Sequence, residues 1–417
     1  EAMAMDPQQR CCLEHGYEAL HAAGIGKSEL NGADGGVYLG FSCQDFATVL
    51  QGTAVKTSVY SATGSSQSIA SGRLSFALGL QGPCTLIDTA CSSGLTATSI
   101  ACGALTLGEC PFAVVLAVNI MMVTDVHRAF GLAGMTSPRG RCHTWDASAD
   151  GYCRSDNCGG AVIMRGKEDE TPAIALPGTA VRCDGKSASL TAPNGAAQTS
   201  LLKAALEDAG VPSREVAAVE AHGTGTALGD PIEMRSMKGA VLKDRGPSDP
   251  AVMVGSIKAN CGHAEAAAGA SGLLRLAVGV ATAPAPPNPQ LRVMNEHVLA
   301  AVSGTSCVLP TQLSTLAQIP QRGDAYVGGV SSFGYSGTIV HTVVQAAVST
   351  PMDVHTVPGL KYSRKRYGWR EVPHPLIQSR SVGADGAAED SFVSPASGPL
   401  VALVADHIVG GHIVFPG

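Results

Sequence analysis

A short apolar segment followed by a long run of small residues is the clearest pattern along the chain. Residues 84–89 are apolar apart from their ends, which predicts a buried strand, and the small residues from Ser92 to Gly108 predict a helix. Cys91 lies between them, where free backbone N–H groups and the positive end of the helix dipole face its sulfur. Such a setting lowers a thiol pKa and activates a nucleophile. The alternative is one more buried cysteine in a chain that has thirteen.

The same order of elements occurs twice. The first predicted helix begins at Asp6, with Pro7 in its first position, and ends near Gly24. A second helix ends in the same way at Gly210, and strands follow both helices, so we interpret the pattern as an internal duplication of an α/β unit. Two predicted strands precede the second helix and none precedes the first. We therefore expect the opening strands of the first half to be missing.

Composition excludes several classes of function. The 417 residues carry a formal net charge of −6 without a basic stripe, so nucleic acid is not an expected partner. We expect no apolar run that spans a bilayer and no signal peptide, and a chain that opens on Glu1 is expected to be an interior piece of a longer protein. Charged residues are only 15%, which favours extensive burial, often against a second copy. Thirteen cysteines without a Cys-x-x-Cys pair favour free thiols in the cytoplasm and argue against a metal site.

Two histidines in the second half each follow a predicted strand beside a glycine turn. His222 precedes Gly223-Thr-Gly225, and His263 follows a strand expected to end near Lys258. Two histidines in this position favour one pocket shared with the cysteine. The glycine spacing also resembles a dinucleotide-binding loop, but the third glycine comes one place late and a histidine suits a pyrophosphate poorly. A nicotinamide cofactor is therefore not expected.

The helix after the first histidine carries an N-terminal signature. Asp230 is predicted to be its N-cap, Pro231 its first residue, and Glu233 is predicted to reach back as in a capping box.

Three motifs resemble those of a known family. Asp-Thr-Ala-Cys91-Ser-Ser, Glu-Ala-His222-Gly-Thr-Gly-Thr and Lys258-x-Asn-x-Gly-His263 match the β-ketoacyl synthase (ketosynthase) domain of modular type I polyketide synthases. Together with four supporting segments they cover residues 1–347 in the family's order. The supporting segments are Met5-Asp-Pro-Gln-Gln-Arg10, Ala149-Asp-Gly-Tyr152, Ala192-Pro-Asn-Gly195 and Ser331-Ser-Phe-Gly-Tyr-Ser-Gly337.

The resemblance implies a fold and a chemistry. The fold is the α/β thiolase fold, with two βαβ-rich halves in α-β-α-β-α layers, assembled as a homodimer. Cys91 would take an acyl chain from the phosphopantetheine arm of an acyl carrier protein and condense it with a malonyl-type extender that loses carbon dioxide. The backbone N–H groups of Cys91 and Tyr335 would form the oxyanion hole, and His222 and His263 would donate to the enolate oxygen. Lys258 would position His263. The residues expected to hold the pantetheine arm or substrate are Thr224, Thr226 and Phe333.

The resemblance also implies which cofactors and activities this domain does not supply. It binds no cofactor of its own, and the acyltransferase that supplies the extender is expected elsewhere. Two segments depart from the family: Gly337-Thr-Ile-Val-His341 replaces Gly-Thr-Asn-Ala-His, and Ser155-Asp-Asn157 replaces Gly-Glu-Gly. We expect both in the glycine-rich lining of the pocket. Glu265 is the expected carboxylate partner of the lysine.

The last seventy residues resemble other parts of such synthases. Residues 348–373 are predicted to be a linker, and residues 374–417 the incomplete start of a dehydratase domain, which has a double hot-dog fold. His407, Gly411 and Pro416 fit the His-x3-Gly-x4-Pro signature of that domain. His407 would be its base, silent here because the acid belongs to a second hot-dog half that the chain lacks. The alternative is a linker with an incidental match.

Two other functions remain open at this point. A thiolase-like or chalcone-synthase-like acyltransferase would use free coenzyme A, but such relatives are not expected to carry the Lys258–His263 motif. A non-catalytic dimer platform within a synthase would differ by the absence of acylation at Cys91.

Overall fold

The computed structural model has two compact units, Glu1–Leu360 and Lys361–Gly417. The residues it describes are 1–53, 56–166, 172–246, 248–316, 325–347, 359–363, 379–382, 390–393 and 404–413. The helices of the first unit are α1 (Pro7–Ala22), α2 (Lys27–Leu30), α3 (Asp45–Gln51), α4 (Ser61–Ser65), α5 (Gln67–Leu78), α6 (Ser93–Leu107), α7 (Asp125–Leu132), α8 (Gly195–Asp208), α9 (Gly229–Met237), α10 (Lys258–Cys261), α11 (Ala268–Thr282) and α12 (Glu296–Val302).

Two mixed sheets organise the first unit. The four-stranded sheet has the order β2-β1-β3-β4, in which β1 pairs in parallel with β2 and β3, and β4 is antiparallel to β3. Its strands are β1 (Gly36–Gly40), β2 (Cys84–Ile87), β3 (Phe112–Asn119) and β4 (Asn157–Met164).

The six-stranded sheet has the order β5-β12-β11-β6-β7-β9, and a small pair, β8 with β10, lies apart. Its strands, with that pair, are β5 (Ile174–Cys183), β6 (Val216–Glu220), β7 (Val252–Gly255), β8 (Pro284–Ala285), β9 (Cys307–Val308), β10 (Ser314–Thr315), β11 (Ala325–Phe333) and β12 (Thr338–Ala347).

The two sheets repeat one topology. In the second sheet β11 is parallel to β6 and antiparallel to β12, as β3 is parallel to β1 and antiparallel to β4 in the first. The second sheet then adds β5 beside β12. Among the described residues no strand takes the equivalent place beside β4. The duplication inferred from the sequence is therefore present in the strand order.

Alternating side chains place helices on both faces of the first sheet. In β1, Val37 and Leu39 pack with α1 and α5, whereas Tyr38 between them packs with α6. This follows from the two-residue period of a strand. Helix α6 and helix α11 lie between the two sheets, and α8 and α9 cover the far face of the second. The result is the expected five layers, α-β-α-β-α.

Local signals set several helix ends as predicted. The Asp6 carboxylate accepts the N–H of Gln8 at 2.8 Å with Pro7 at the first position of α1. Helix α6 ends at Gly108, which adopts a left-handed φ of 74° that favours glycine. The strand expected to end near Lys258 ends earlier, at Gly255, because α10 begins at Lys258 itself.

One helix departs from the expectation about apolar runs. Ala90–Leu107 is long and apolar enough to cross a membrane by length and composition, and it is the one such segment in the described part of the chain. The expectation that no run reaches this length is therefore wrong. The segment contains α6, the central helix between the sheets, and 61% of it is buried inside the fold.

The second unit contributes two short hairpins to the described residues. Strand β13 (Ser379–Val382) pairs with β14 (Asp390–Val393), and β15 (Ile408–Val409) pairs with β16 (His412–Ile413). Most of the predicted linker, the His374-Pro-Leu start and Pro416 lie outside the described residues, so the boundaries at 347 and 373 stay predictions.

Candidate active site

Cys91 lies in the tight turn between β2 and α6. Ala90 before it adopts a left-handed φ of 55°, which costs a non-glycine residue roughly 1–2 kcal/mol. The hydroxyl of Ser93 offsets this cost, because it accepts the N–H of Thr89 at 2.9 Å and donates to the carbonyl of Ala90 at 2.6 Å. The turn presents the cysteine at the N-terminus of α6, as the sequence predicts.

The second half of the unit clamps this turn. The hydroxyl of Ser332 in β11 donates to the carbonyl of Cys91 at 2.7 Å. Gly334 lies against the same turn, where a Cβ atom would come within 2.3 Å of the carbonyl oxygen of Thr89. The nucleophile turn is therefore positioned by residues more than two hundred positions away.

Burial dominates the chemistry of the thiol. Cys91 is 8% exposed, and desolvation raises its pKa to about 12, against the lowering influence of Lys258 and of the backbone N–H groups of Tyr335 and Cys91 itself. The expectation of a lowered pKa is wrong for this structure, because desolvation outweighs the helix terminus. The two N–H groups expected to form the oxyanion hole do lie at the sulfur.

His222 follows β6 and is held at its ring and its backbone. Its Nδ1 accepts the N–H of Phe333 at 3.2 Å, so the neutral ring carries its proton on Nε2. The carboxylate of Glu233 accepts the N–H groups of His222 and Gly223 at 2.7 and 2.8 Å. His222 is thereby fixed as a hydrogen-bond donor through Nε2.

His263 is held in the same tautomer by a different contact. Its Nδ1 accepts the backbone N–H of Glu265 at 3.1 Å, and its Nε2 is buried without a partner among the described residues. Its own backbone N–H donates to the carbonyl of Cys153 at 2.6 Å, and the ring of Tyr152 lies 4.9 Å away between centroids. An unpartnered buried donor in a pocket wall fits a ligand oxygen.

The two imidazoles face each other as neutral groups. Their ring centroids are 5.5 Å apart, and burial followed by the charge of Lys258 holds the pKa of both His222 and His263 well below the ordinary value. Lys258 is 3% exposed at the start of α10 and acts on both rings through its charge. Two neutral N–H donors result.

One pocket of about 330 Å³ brings the predicted groups together. Its wall contains Cys91, both histidines, and the neighbouring hydroxyls of Thr224 and Thr226, whose oxygens are 3.3 Å apart. Lys258 lies outside the wall. The other lining residues that bear on the chemistry are Tyr152, Glu233, Phe333 and Tyr335.

The helix after His222 is supported differently from the prediction. Helix α9 begins at Gly229, so Asp230 is inside it, and its carboxylate accepts the N–H groups of Trp145, Gly225 and Thr226 instead of capping. Glu233, the other residue of the predicted capping box, accepts the N–H groups of the His222 turn. Burial raises the pKa of Asp230 to about 6. The capping box is wrong because tertiary contacts claim both carboxylates.

The predicted pairing of Lys258 with Glu265 is also wrong. Glu265 forms a buried ion pair with Arg154, with the guanidinium Nε 2.5 Å from Oε1. The sequence argument missed both Arg154 and the positioning role of Glu233. A signal for the arginine existed, since it completes the Tyr-x-Arg that follows Asp-Gly in a family motif.

The two departures from the family pattern do not line this pocket. His341 is 1% exposed in β12, where its Nδ1 lies 2.9 Å from the hydroxyl of Ser331, and burial lowers its pKa to about 4. The amide of Asn157 donates to the hydroxyl of Ser271, and the carbonyl of Ser155 accepts from Asn119. Both segments therefore lie behind the pocket wall, where the N–H of Ser155 donates to the carbonyl of His263. Among the described residues, no group of three or more His, Cys, Asp or Glu could hold a metal ion.

Comparison with known proteins agrees with this geometry. Residues 1–169 match the model of the beta-ketoacyl synthase N-terminal domain, and residues 174–292 match that of the C-terminal domain, together more than half of the chain. The chain belongs to the beta-ketoacyl synthase family. Its five layers are those of the thiolase fold.

Polyketide synthases are among its relatives. One protein of the phenolphthiocerol/phthiocerol polyketide synthase of Mycobacterium tuberculosis is 38% identical over 363 residues, 86% of this chain and 19% of the relative. Another protein of the same synthase is 39% identical over 355 residues, 83% of this chain and 16% of the relative. The chain thus spans less than a fifth of the length of these relatives.

Solved structures give the same family. The ketosynthase from module 6 of the bacillaene synthase of Bacillus subtilis 168 matches with a TM-score of 0.75 and 32% identity over 83% of this chain and 60% of that one. An oxazolomycin ketosynthase domain from Streptomyces albus JA3453 matches with a TM-score of 0.75 and 26% identity over 88% of this chain and 62% of that one.

Proposed function

We propose that this ketosynthase catalyses the decarboxylative Claisen condensation of polyketide chain extension. The observation that carries the proposal is the pair of neutral imidazoles beside Cys91, each with Nδ1 occupied by a backbone N–H and Nε2–H left to donate. Donors fixed in this way suit an oxygen on which negative charge develops. A cationic imidazolium or a metal is not needed for that role.

The first step is acyl transfer to Cys91. The sulfur attacks the carbonyl carbon of an acyl thioester, a new C–S bond forms, and the carrier thiol leaves with the proton of Cys91. The N–H groups of Cys91 and Tyr335 would bind the oxyanion of this step. Because burial raises the pKa of the thiol to about 12, proton transfer would accompany attack instead of preceding it.

The second step forms the carbon–carbon bond. A malonyl-type thioester loses carbon dioxide, and His222 and His263 donate to the resulting enolate oxygen. The enolate carbon attacks the Cys91 thioester, the C–S bond breaks, and the cysteine thiolate takes up a proton. The product is a 3-oxoacyl thioester that stays on the carrier.

The substrates would arrive on the phosphopantetheine arm of an acyl carrier protein. Thr224 and Thr226 line the pocket together with Phe333, in agreement with their expected role in holding the arm. Lys258 would act from behind the wall by keeping both histidines neutral. No cofactor is part of the proposed reaction, and an acyltransferase elsewhere would load the extender.

Intact-mass spectrometry with acyl-carrier thioesters tests the proposal. The wild-type protein should gain one acyl mass, Cys91→Ala should gain none, and Cys84→Ala, which removes an exposed cysteine, should match the wild type. His263→Ala should still acylate while losing decarboxylation of a malonyl thioester. Equal acylation by acyl-coenzyme A and by the acyl carrier would favour an enzyme that uses free coenzyme A, and no acylation would favour a non-catalytic platform.

We propose that the domain acts as a homodimer in the cytoplasm. Large apolar side chains are exposed on α5 and α6: Phe76 is 89% and Leu107 77% exposed, beside β2 at the sheet edge. All thirteen cysteines are free, which suits a reducing compartment. Light scattering should give twice the chain mass of 42.3 kDa, and Leu107→Glu should give the monomer mass. A wild-type monomer would contradict the dimer.

We further propose that residues 374–417 begin a dehydratase domain in which His407 is the base of a complete enzyme. The support is the His-x3-Gly-x4-Pro pattern. His407 and the residues around it, 405–413, are exposed, so the described part of this unit gives the base no enclosed site. The chain should not dehydrate a 3-hydroxyacyl carrier thioester. Dehydration by the wild-type chain that is abolished in His407→Ala would contradict the proposal that His407 is inactive in this chain.

A further inference from the structure

A buried ion pair joins residues of both halves beside His263. Arg154 donates through Nε and Nη2 to the two carboxylate oxygens of Glu265 at 2.5 and 3.0 Å. Arg154 is 6% and Glu265 8% exposed, so water screens the pair little. A two-pronged bond of this kind fixes the orientation of a carboxylate as well as its charge.

The backbone of Glu265 is strained in a way that serves His263. Its φ of 44° lies in the left-handed region, where a residue with a Cβ atom loses roughly 1–2 kcal/mol. In this conformation its N–H points at Nδ1 of His263, 3.1 Å away. Such strain persists where surrounding contacts over-determine it. The side chain of Glu265 receives that restraint from Arg154.

The segment that carries Arg154 also holds the backbone of His263. The N–H of His263 donates to the carbonyl of Cys153 at 2.6 Å, and the N–H of Ser155 donates to the carbonyl of His263 at 3.0 Å. Arg154 thus lies at the centre of a short bridge to the histidine. The bridge fixes the main chain, and the arginine side chain fixes the residue that supplies the Nδ1 contact.

We propose that Arg154 is a positioning residue that, through Glu265, keeps His263 as the neutral Nε2–H tautomer. The inference rests on the proposed function, in which this Nε2–H donates to the enolate oxygen. Without the guanidinium, the carboxylate of Glu265 would be buried unpaired next to the histidine. A nearby negative charge favours the imidazolium, and a released turn would free Nδ1 to carry the proton. Either change would remove the neutral donor that faces the pocket.

Three variants test the assignment. Arg154→Met removes the ion pair, Arg154→Lys keeps the charge but cannot reproduce the two-pronged bond, and Arg73→Met is the matched control. Arg73 is a largely buried arginine whose contacts, Glu1, Gln9 and the carbonyl of Thr63, all lie near α1. Folding of each variant is checked by circular dichroism and thermal unfolding.

The main measurement is the ¹H–¹⁵N spectrum of protein labelled at its histidines. His263 should show a protonated Nε2 and an unprotonated Nδ1 in the wild type and in Arg73→Met across pH 6 to 8. Folded Arg154→Met should show the other tautomer, a tautomer mixture or a cationic ring, and Arg154→Lys should lie between. Unchanged His263 signals in folded Arg154→Met would overturn the inference. If Arg154→Met does not fold, the signals of Arg154→Lys decide the question by the same criterion.

A kinetic measurement separates positioning from general damage. Arg154→Met should lose decarboxylation of a malonyl thioester by about 10- to 100-fold, because one donor to the enolate is misplaced, while Cys91 acylation stays within about twofold. Equal loss of both activities would contradict a positioning role at His263. A wild-type protein that neither acylates nor decarboxylates would refute the proposed function. The tautomer measurement would still test whether Arg154 keeps His263 in the Nε2–H form.

Discussion

Glu233 offers the sharpest test of how the His222 turn is held. Its two carboxylate oxygens accept the N–H groups of His222 and Gly223, yet the group is 3% exposed and burial raises its pKa from 4.5 to about 7. Replacing Glu233 by Gln leaves one oxygen acceptor and turns an NH₂ donor toward an N–H donor. The turn that carries His222 and Gly223 loses one charge-assisted contact, worth about 1.5–3 kcal/mol.

The raised pKa determines the effect on stability. The folded protein binds the Glu233 proton at a higher pH than the unfolded chain does, so the contribution of this group to stability falls as pH rises from 4.5 to about 7 and is level above that. The shift from 4.5 to about 7 corresponds to about 3 kcal/mol. Glu233→Gln lacks this loss. The stability of Glu233→Gln relative to the wild type should therefore rise by about 3 kcal/mol between pH 5 and pH 8.

Activity should change in the opposite direction. Wild-type decarboxylation should rise with pH through about 7, as the carboxylate gains its second acceptor oxygen. Glu233→Gln should stay about 10- to 100-fold below the wild type at pH 8 and show no such rise. Urea unfolding and malonyl decarboxylation at pH 5 to 8 measure both effects, with exposed Glu207→Gln as the charge-matched control. A variant that is fully active at pH 8, or whose stability relative to the wild type does not rise between pH 5 and pH 8, would refute the reasoning.

Three further outcomes follow from the same site. Alkylation of Cys91 by iodoacetamide, followed by peptide mapping, should rise about tenfold per pH unit between pH 7 and 10, because its pKa is about 12, and a plateau near neutrality would contradict this. Lys258→Met should raise the pKa of both His222 and His263 and move the acidic limb of the decarboxylation profile to higher pH; an unmoved limb would exclude the electrostatic role. Gly334→Ala should destabilise the unit by about 1–3 kcal/mol in urea unfolding and slow acylation. Gly103→Ala in α6, where no atom lies within 4 Å of the added Cβ, should do neither, and equal effects would show that the clash at Gly334 relaxes.

Local sequence signals predicted those parts of the fold that depend on neighbouring residues. The Asp6 cap, the Gly108 end of α6 and the position of Cys91 between strand and helix were all readable, because each follows from a few adjacent residues. The position of both histidines at strand ends predicted that they share a pocket with the cysteine, and the motif resemblance added the two threonines. The pocket contains the cysteine, both histidines and both threonines.

The predictions that were wrong share one physical origin: contacts and burial that come from residues distant in sequence. Asp230 and Glu233 carry a capping signature, but contacts with Trp145 and the His222 turn use their carboxylates. The helix dipole at Cys91 is local, whereas the burial that raises its pKa comes from the surrounding fold. Glu265 was assigned to the lysine nearest in sequence, but its partner lies 111 positions away. Sequence proximity says little about partners in a duplicated fold.

The contacts across the two halves have a consequence for how this protein can evolve. The first half supplies the cysteine, yet Ser332 and Gly334 of the second half shape the turn that carries it. The second half supplies His263, yet Arg154 of the first half holds its neighbour. Each copy of the ancestral repeat therefore depends on the other to hold its reactive group. A recombination breakpoint between β4 and β5 would pair halves that were not selected together, so viable hybrids should exchange the whole ketosynthase.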